Sequence, residues 1–225
     1  MSDLTISNSY DSFNAESWLE PTELKIKSLW EWSSPSDTPI RIAICGASGT
    51  GKKELAEQLG KQLDIPVVAG VTRMLAKLGF KINKGADMTM EMASLLANIC
   101  SLLEYDDDVV SADSLIDVLA YSKYVADKSS DKSTKYINRA MANMVHTLIY
   151  DLYTVFFYMP LLEKPKSDGV RSIDMKFQEE IDKNIRYYLN AFDIDYFPLT
   201  GKPKEKVNLA MDYLNEFNLL TDRDI

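Results

Sequence analysis

The stretch Gly46-Ala47-Ser48-Gly49-Thr50-Gly51-Lys52-Lys53 constrains this chain more than any other, because it joins two segments of opposite periodicity. Before it, residues 40–45 form a compact apolar run with isoleucine at every other position, which reads as a buried strand. After it, Leu55, Leu59 and Leu63 recur at four-residue spacing and mark one face of a helix over 52–63. A glycine-rich turn between a buried strand and a helix lets backbone N–H groups converge on an anion. The positive end of the helix dipole adds to that field. In this setting Gly-x-x-x-x-Gly-Lys predicts a phosphate-binding loop running from Gly46 to Lys53, with Lys52 reaching the β- and γ-phosphates of a nucleotide.

The loop departs from its usual pattern at the last position, where Lys53 stands in place of a Ser or Thr whose hydroxyl would ligate Mg²⁺. An ammonium cannot ligate a cation. Three accounts compete: phosphates, waters and a distant carboxylate hold the metal; Lys53 points away or touches a phosphate itself; or the site binds nucleotide and catalyses poorly.

Beyond the loop, strand and helix patterns alternate. Strands are predicted at 65–70, 108–112, 153–160 and 195–199. Helices are predicted at 71–80, 90–104, 114–126, 135–152, 174–192 and 204–217, with a polar loop over 128–134. In the helix over 90–104, Met92, Leu95, Leu96, Ile99, Leu102 and Leu103 define the expected core face, its methionines filling core rather than binding metal. Strands separated by helices imply parallel pairing through right-handed crossovers. The expected fold is a three-layer α/β/α sandwich on a five-stranded parallel sheet with a mobile lid at about 161–174. Residues 1–39 read as a tail, partly ordered around Trp30 and Trp32, and 40–225 as the domain.

With 34 acidic against 25 basic residues, a net charge of −9 excludes a globally basic nucleic-acid coat. A local basic edge at Lys123, Lys128, Lys132, Lys135 and Arg139 stays open, although a solvated helix face is the simpler account. No apolar run reaches the roughly 18 residues of a membrane span. The two cysteines, Cys45 and Cys100, lack metal or redox spacing and read as reduced thiols in a cytoplasmic protein. The single histidine, His146, excludes a His-rich zinc site and reads as a partly buried helix residue.

Asp113 closes the third strand at the edge where ligands of parallel sheets bind. It is placed to hold Mg²⁺ or to accept a proton from an acceptor hydroxyl; capping the next helix, by Asp113 or Ser114, is the alternative. Asp117 follows one helical turn later as a substrate-side carboxylate. Arg73, after the second strand, offers a planar fork to a phosphate or carboxylate of the acceptor, or a surface ion pair. The polar loop 163–171 ends in Arg171, placed to close over phosphates and join the transition state.

Together these segments resemble the P-loop nucleoside and nucleotide kinase group, most closely the small kinase-like ATPases often found in phages and akin to the ribosylnicotinamide kinase domain. The resemblance runs from about residue 40 to 214. It is carried by the loop Gly46 to Lys52, by Thr72-Arg73 with the segment that follows, by Ser114 to Tyr121, by Asp168-Gly169-Val170-Arg171, and by Leu199-Thr200-Gly201 with Lys204 to Val207. It implies ATP with Mg²⁺ as donor, a nucleoside- or nucleotide-type acceptor, and Lys52, Asp113 and Arg171 as catalytic groups. It also admits a hydroxymethylated pyrimidine in phage DNA as acceptor, which the net charge disfavours. A phage-encoded chain would work in the host cytoplasm, and a homodimer is open. Ala112-Asp113 replaces the Asp-Arg that often precedes the Ser of the third motif. The competing class is a nucleotide-binding interaction or regulatory protein without kinase activity.

Overall fold

The computed structural model describes residues 39–162, 172–217 and 219–220. The tail expected over 1–39 (Pro39 apart), Arg171 and most of the expected lid lie outside the described residues. The elements are β1 (Arg41–Cys45), α1 (Lys52–Leu63), β2 (Val67–Val68), α2 (Thr72–Lys77), α3 (Met88–Leu103), β3 (Val109–Ser111), α4 (Leu115–Lys128), α5 (Lys132–Leu152), β4 (Val155–Tyr158), α6 (Met175–Ala191), β5 (Phe197–Pro198) and α7 (Pro203–Glu216). One 3-10 turn lies at Asn83–Gly85.

The strands form one five-stranded parallel sheet in the order β2-β3-β1-β4-β5. Side chains of β1 alternate between two cores. Ile42 and Ile44 pack with Leu55 and Leu59 of α1 and Val207 and Leu214 of α7. Ala43 and Cys45 face the other core, with Leu95 of α3, Leu119 of α4, Val145 of α5 and Ile181 of α6. Helices on both faces of a parallel sheet make the expected three-layer sandwich. No helix among the described residues is long and apolar enough to cross a membrane.

Burial of Arg41 at the start of β1 is explained by its partners. Its guanidinium donates to the carbonyls of Leu102, Tyr105, Asp107 and Leu152, tying together the ends of α3 and α5 and the turn before β3. Desolvation lowers its pKa, but the guanidinium remains the donor that satisfies these orphan carbonyls.

Three expectations need correction. The loop at 128–134 shrinks to 129–131, because Asp131 caps α5 by accepting from the Ser133 N–H at 3.0 Å. His146 is exposed on α5, its ring 4.9 Å from that of Phe192. In α3 the buried set is Met88, Met90, Glu91, Ser94, Leu95, Asn98 and Leu102, while Met92, Leu96 and Leu103 face outward. The apolar periodicity pointed to a face rotated from the real one, since three polar side chains take positions that a core reading assigns to hydrophobes.

Candidate functional site: the cleft at the carboxyl ends of β1 and β3

Parallel register brings Ala43 of β1 beside Ser111 of β3, so the loop after β1 and the turn after β3 leave the sheet side by side. The first turn of the loop ends at Gly51, the N-cap of α1, which adopts φ 96° and ψ 17°. Only glycine takes this left-handed conformation without steric cost. No side chain caps α1, so the N–H groups of its first turn remain for an incoming anion.

Lys52, the first residue of α1, points back under the loop. Its ammonium donates to the Gly46 carbonyl and lies 3.2 Å from Asp113 Oδ1 and 3.6 Å from Asp117 Oδ2. Burial works against its charge, yet Asp117 and Asp113 together outweigh burial and hold its pKa above the ordinary lysine value. A cation in this position is poised, fully charged, at the mouth of the loop.

Asp117 is nearly inaccessible at 3% exposure, and both its oxygens are engaged. Oδ1 accepts from the Gly46 N–H at 2.9 Å, and Oδ2 from the Ser114 N–H at 3.1 Å, while the Asp117 N–H donates to Ser114 Oγ. The result is a capping box that closes the start of α4 and also pins the first residue of the phosphate loop. Burial pushes its carboxyl upward, against the pull of Lys52 and the two N–H groups. Asp117, expected to face the substrate, is committed to the protein. Ser114, not Asp113, is the cap.

Asp113 is therefore released from capping. Its side chain is 30% exposed, and its carboxylate reaches across to β2: a Cβ placed on Gly70 would come within 1.8 Å of Oδ2. A side chain at Gly70 would therefore have to displace the Asp113 carboxylate from this position. Lys53 lines the rim of the cleft, its ammonium 3.5 Å from Glu57 one helical turn on, with both side chains largely exposed.

These groups open into one cavity of about 250 Å³, which continues from Ser48, Lys52 and Asp113 past Arg73 to Glu91 and Asn98 of α3. Arg73 lies exposed on the first turn of α2 and lines the same cleft. Glu91 and Asn98 were not anticipated. The signal was present in sequence as polar residues at 91, 94 and 98 of an otherwise apolar helix, a spacing that keeps them on one face.

No group of three His, Cys, Asp or Glu side chains converges among the described residues. The donor set suits a small hard cation held mainly by substrate phosphates and water with one carboxylate, the usual arrangement for Mg²⁺, and Asp113 is the carboxylate available. On the opposite face of the loop, Lys206 of α7 donates to the Thr50 carbonyl at 3.3 Å and buttresses it.

The family described as AAA domain matches residues 41–206. The chain belongs to that family. No curated protein matches it in sequence. Among solved structures, deoxyadenosine kinase from M. mycoides with dCMP and dCDP is similar at 15% identity and TM-score 0.54, covering 78% of this chain and 98% of the kinase. The same enzyme with dATP gives 16% identity and TM-score 0.56, covering 78% of this chain and 99% of that one. NadR protein in complex with NAD and AMP-PNP gives 13% identity and TM-score 0.61, covering 83% of this chain and 51% of NadR, so the match spans about half of that protein. These likenesses establish the P-loop, nucleotide-kinase-like fold of this AAA-domain chain.

Proposed function

We propose that the chain transfers the γ-phosphoryl group of ATP to a hydroxyl or phosphate oxygen of a nucleoside- or nucleotide-type acceptor. The observation that carries this reading is the buried, charged Lys52 at the uncapped start of α1, held beside Asp113 in a cleft that continues well beyond the phosphate loop. A protein that only binds nucleotide has no need of the second half of that cleft. The nucleotides in the related solved structures, dATP and AMP-PNP among them, support the substrate class.

The acceptor oxygen attacks Pγ, the new O–P bond forms as the bond from Pγ to the bridging oxygen breaks, and ADP leaves. Where the acceptor is a hydroxyl, its proton passes to Asp113. Lys52 and the N–H groups of the loop neutralise charge on the phosphates, and Arg73 and Arg171 hold acceptor and transferring group. When bound, Mg²⁺ would be held by the phosphates and water beside Asp113 and would supply further charge neutralisation. Asp117 acts as a positioning residue through Lys52 and Gly46. A small acceptor is favoured over DNA, because Lys123 and Lys128 of the expected basic edge are paired with Asp127 and Glu180.

Transfer of labelled γ-phosphate to a panel of nucleosides, deoxynucleotides, nicotinamide riboside and hydroxymethylpyrimidine DNA tests this, with Lys52→Ala as control. Label on one acceptor, reduced by at least about a hundredfold in the control, is the expected result. Measurable ATP binding with no transfer to any member would replace the kinase by a nucleotide-binding regulatory protein.

A further inference from the structure

The α3 side of the cleft contains a group that the phosphoryl-transfer chemistry does not use. Glu91 is 4% exposed, sits on a mostly apolar helix, and makes no hydrogen bond or ion pair with any described residue. Its carboxyl borders the cavity, together with Asn98, Met90, Val118 and Tyr121. Burial, with the negative Asp87 one turn away, pushes it up to about 8. A buried carboxyl without a partner is destabilising, and such groups in a cavity are usually completed by what the cavity binds.

Asn98 narrows the chemistry. Its Nδ2 donates to the Ser94 carbonyl at 2.9 Å, and a carbonyl only accepts, so the orientation of the amide is fixed. The same Nδ2 also reaches Ser94 Oγ at 3.5 Å, so both of its N–H groups turn back to Ser94, and what Asn98 has left to offer the cavity is Oδ1, an acceptor. The pair thus presents acceptor oxygens with at most one proton among them, beside the apolar faces of Met90, Val118 and the Tyr121 ring. Flat heterocycles fit between such walls.

Resting on the reading of this cleft as the acceptor site, we propose that Glu91 and Asn98 form its recognition end and select acceptors whose base carries an exocyclic amine. An amine brings two N–H donors and can satisfy an oxygen of each residue, while the neighbouring ring nitrogen accepts the proton of Glu91. The corresponding oxo base presents a single N–H beside a carbonyl; even where that carbonyl takes the Glu91 proton and the N–H meets Glu91, Asn98 Oδ1 is left without a donor. Sites built on buried hydrogen-bonding groups reject ligands that leave those groups unpaired.

Matched pairs differing only in that substituent test the proposal on the full chain: cytidine against uridine, and adenosine against inosine. Two readouts are taken, calorimetric binding of each nucleoside without ATP, and kcat/KM for label transfer. The expected result is at least about tenfold preference for the amine member in both. At pH 9 Glu91→Gln should shrink or invert that preference, because the parent carboxylate has lost the proton it could give a carbonyl and the Gln amide still donates, while leaving ATP binding as in the parent. Binding that discriminates without any phosphoryl transfer would support this inference and overturn the kinase reading. Equal binding and transfer within each pair, a preference for the oxo member, or a preference unchanged in Glu91→Gln would overturn it and leave the kinase reading standing. So would a chain that binds none of the four nucleosides yet phosphorylates another acceptor.

Discussion

Two buried carboxylates, Asp117 and Glu91, line one cleft and are treated in opposite ways. Asp117 receives two backbone N–H groups at 2.9 and 3.1 Å and the Lys52 ammonium at 3.6 Å. Glu91, equally hidden, receives nothing from the described residues. The end proposed to meet phosphate is assembled before ligand arrives, so that Lys52 and the loop need no rearrangement. Glu91 is left to make its hydrogen bonds with whatever fills the cavity it lines. The two helix starts at the sheet edge repeat the contrast in reverse. α4 is closed by its Ser114–Asp117 box, whereas α1 has no side-chain cap where phosphate is expected.

Opposite treatment predicts opposite mutational signs. The largest effect should come from Asp117→Ala, which removes the tether of Gly46, the cap of α4 and a partner of Lys52 together. A loss of about 3 kcal/mol in urea denaturation is expected. A loss no greater than that of an ordinary exposed Asp→Ala would break the comparison.

Glu91→Gln should do the reverse, stabilising the chain by on the order of 2 kcal/mol at alkaline pH. Between pH 4.5 and about 8 the folded chain keeps a proton on Glu91 that the unfolded chain has released, so stability falls as pH rises through that window and levels off above it. Asp87 on the same helix and Tyr121 on α4 are the groups that interact with this charge. Thermal midpoints of parent and variant across pH 5 to 9 should therefore diverge progressively. Parallel curves would show that Glu91 does not titrate in that range.

A smaller loss, about 1–2 kcal/mol, is expected for Gly51→Ala, whose Cβ makes the left-handed conformation costly. Fluorescence titration of ATP should show weaker binding in the same variant, because the loop must relax to relieve the strain. The smallest effect belongs to Lys53→Ala. Among the described residues Lys53 pairs with Glu57 in solvent, so its removal should leave both the denaturation midpoint and ATP affinity unchanged within error. A marked loss of ATP affinity would mean that Lys53 turns inward to meet phosphate.

Local signals were strong where chain neighbours decide the outcome. The start of α1 and the proline-bounded end of β4 follow from propensity and turn chemistry within a few residues and could be read off the chain, whereas the cap of α4 was narrowed only to Asp113 or Ser114. The active face of α3 could not. Periodicity treats a buried position as apolar, and there the buried face carries Glu91, Ser94 and Asn98, so Met92, Leu96 and Leu103 were wrongly turned inward. Nor did spacing distinguish Asp113 from Asp117. Both lie on the edge of the cleft, but only the capping box and the Gly46 N–H reveal which of the two is already occupied.

The sequence by itself determined the strand-loop-helix unit around Lys52 and the alternation that makes a parallel sheet, because both depend on residues adjacent in the chain. Tertiary structure decided which carboxylate stays available, what a side chain at Gly70 would displace, and where the cleft ends. Those outcomes depend on groups brought together from β1, β2, β3, α3 and α4, whose distances are set by the packing of the whole sheet and by no local pattern.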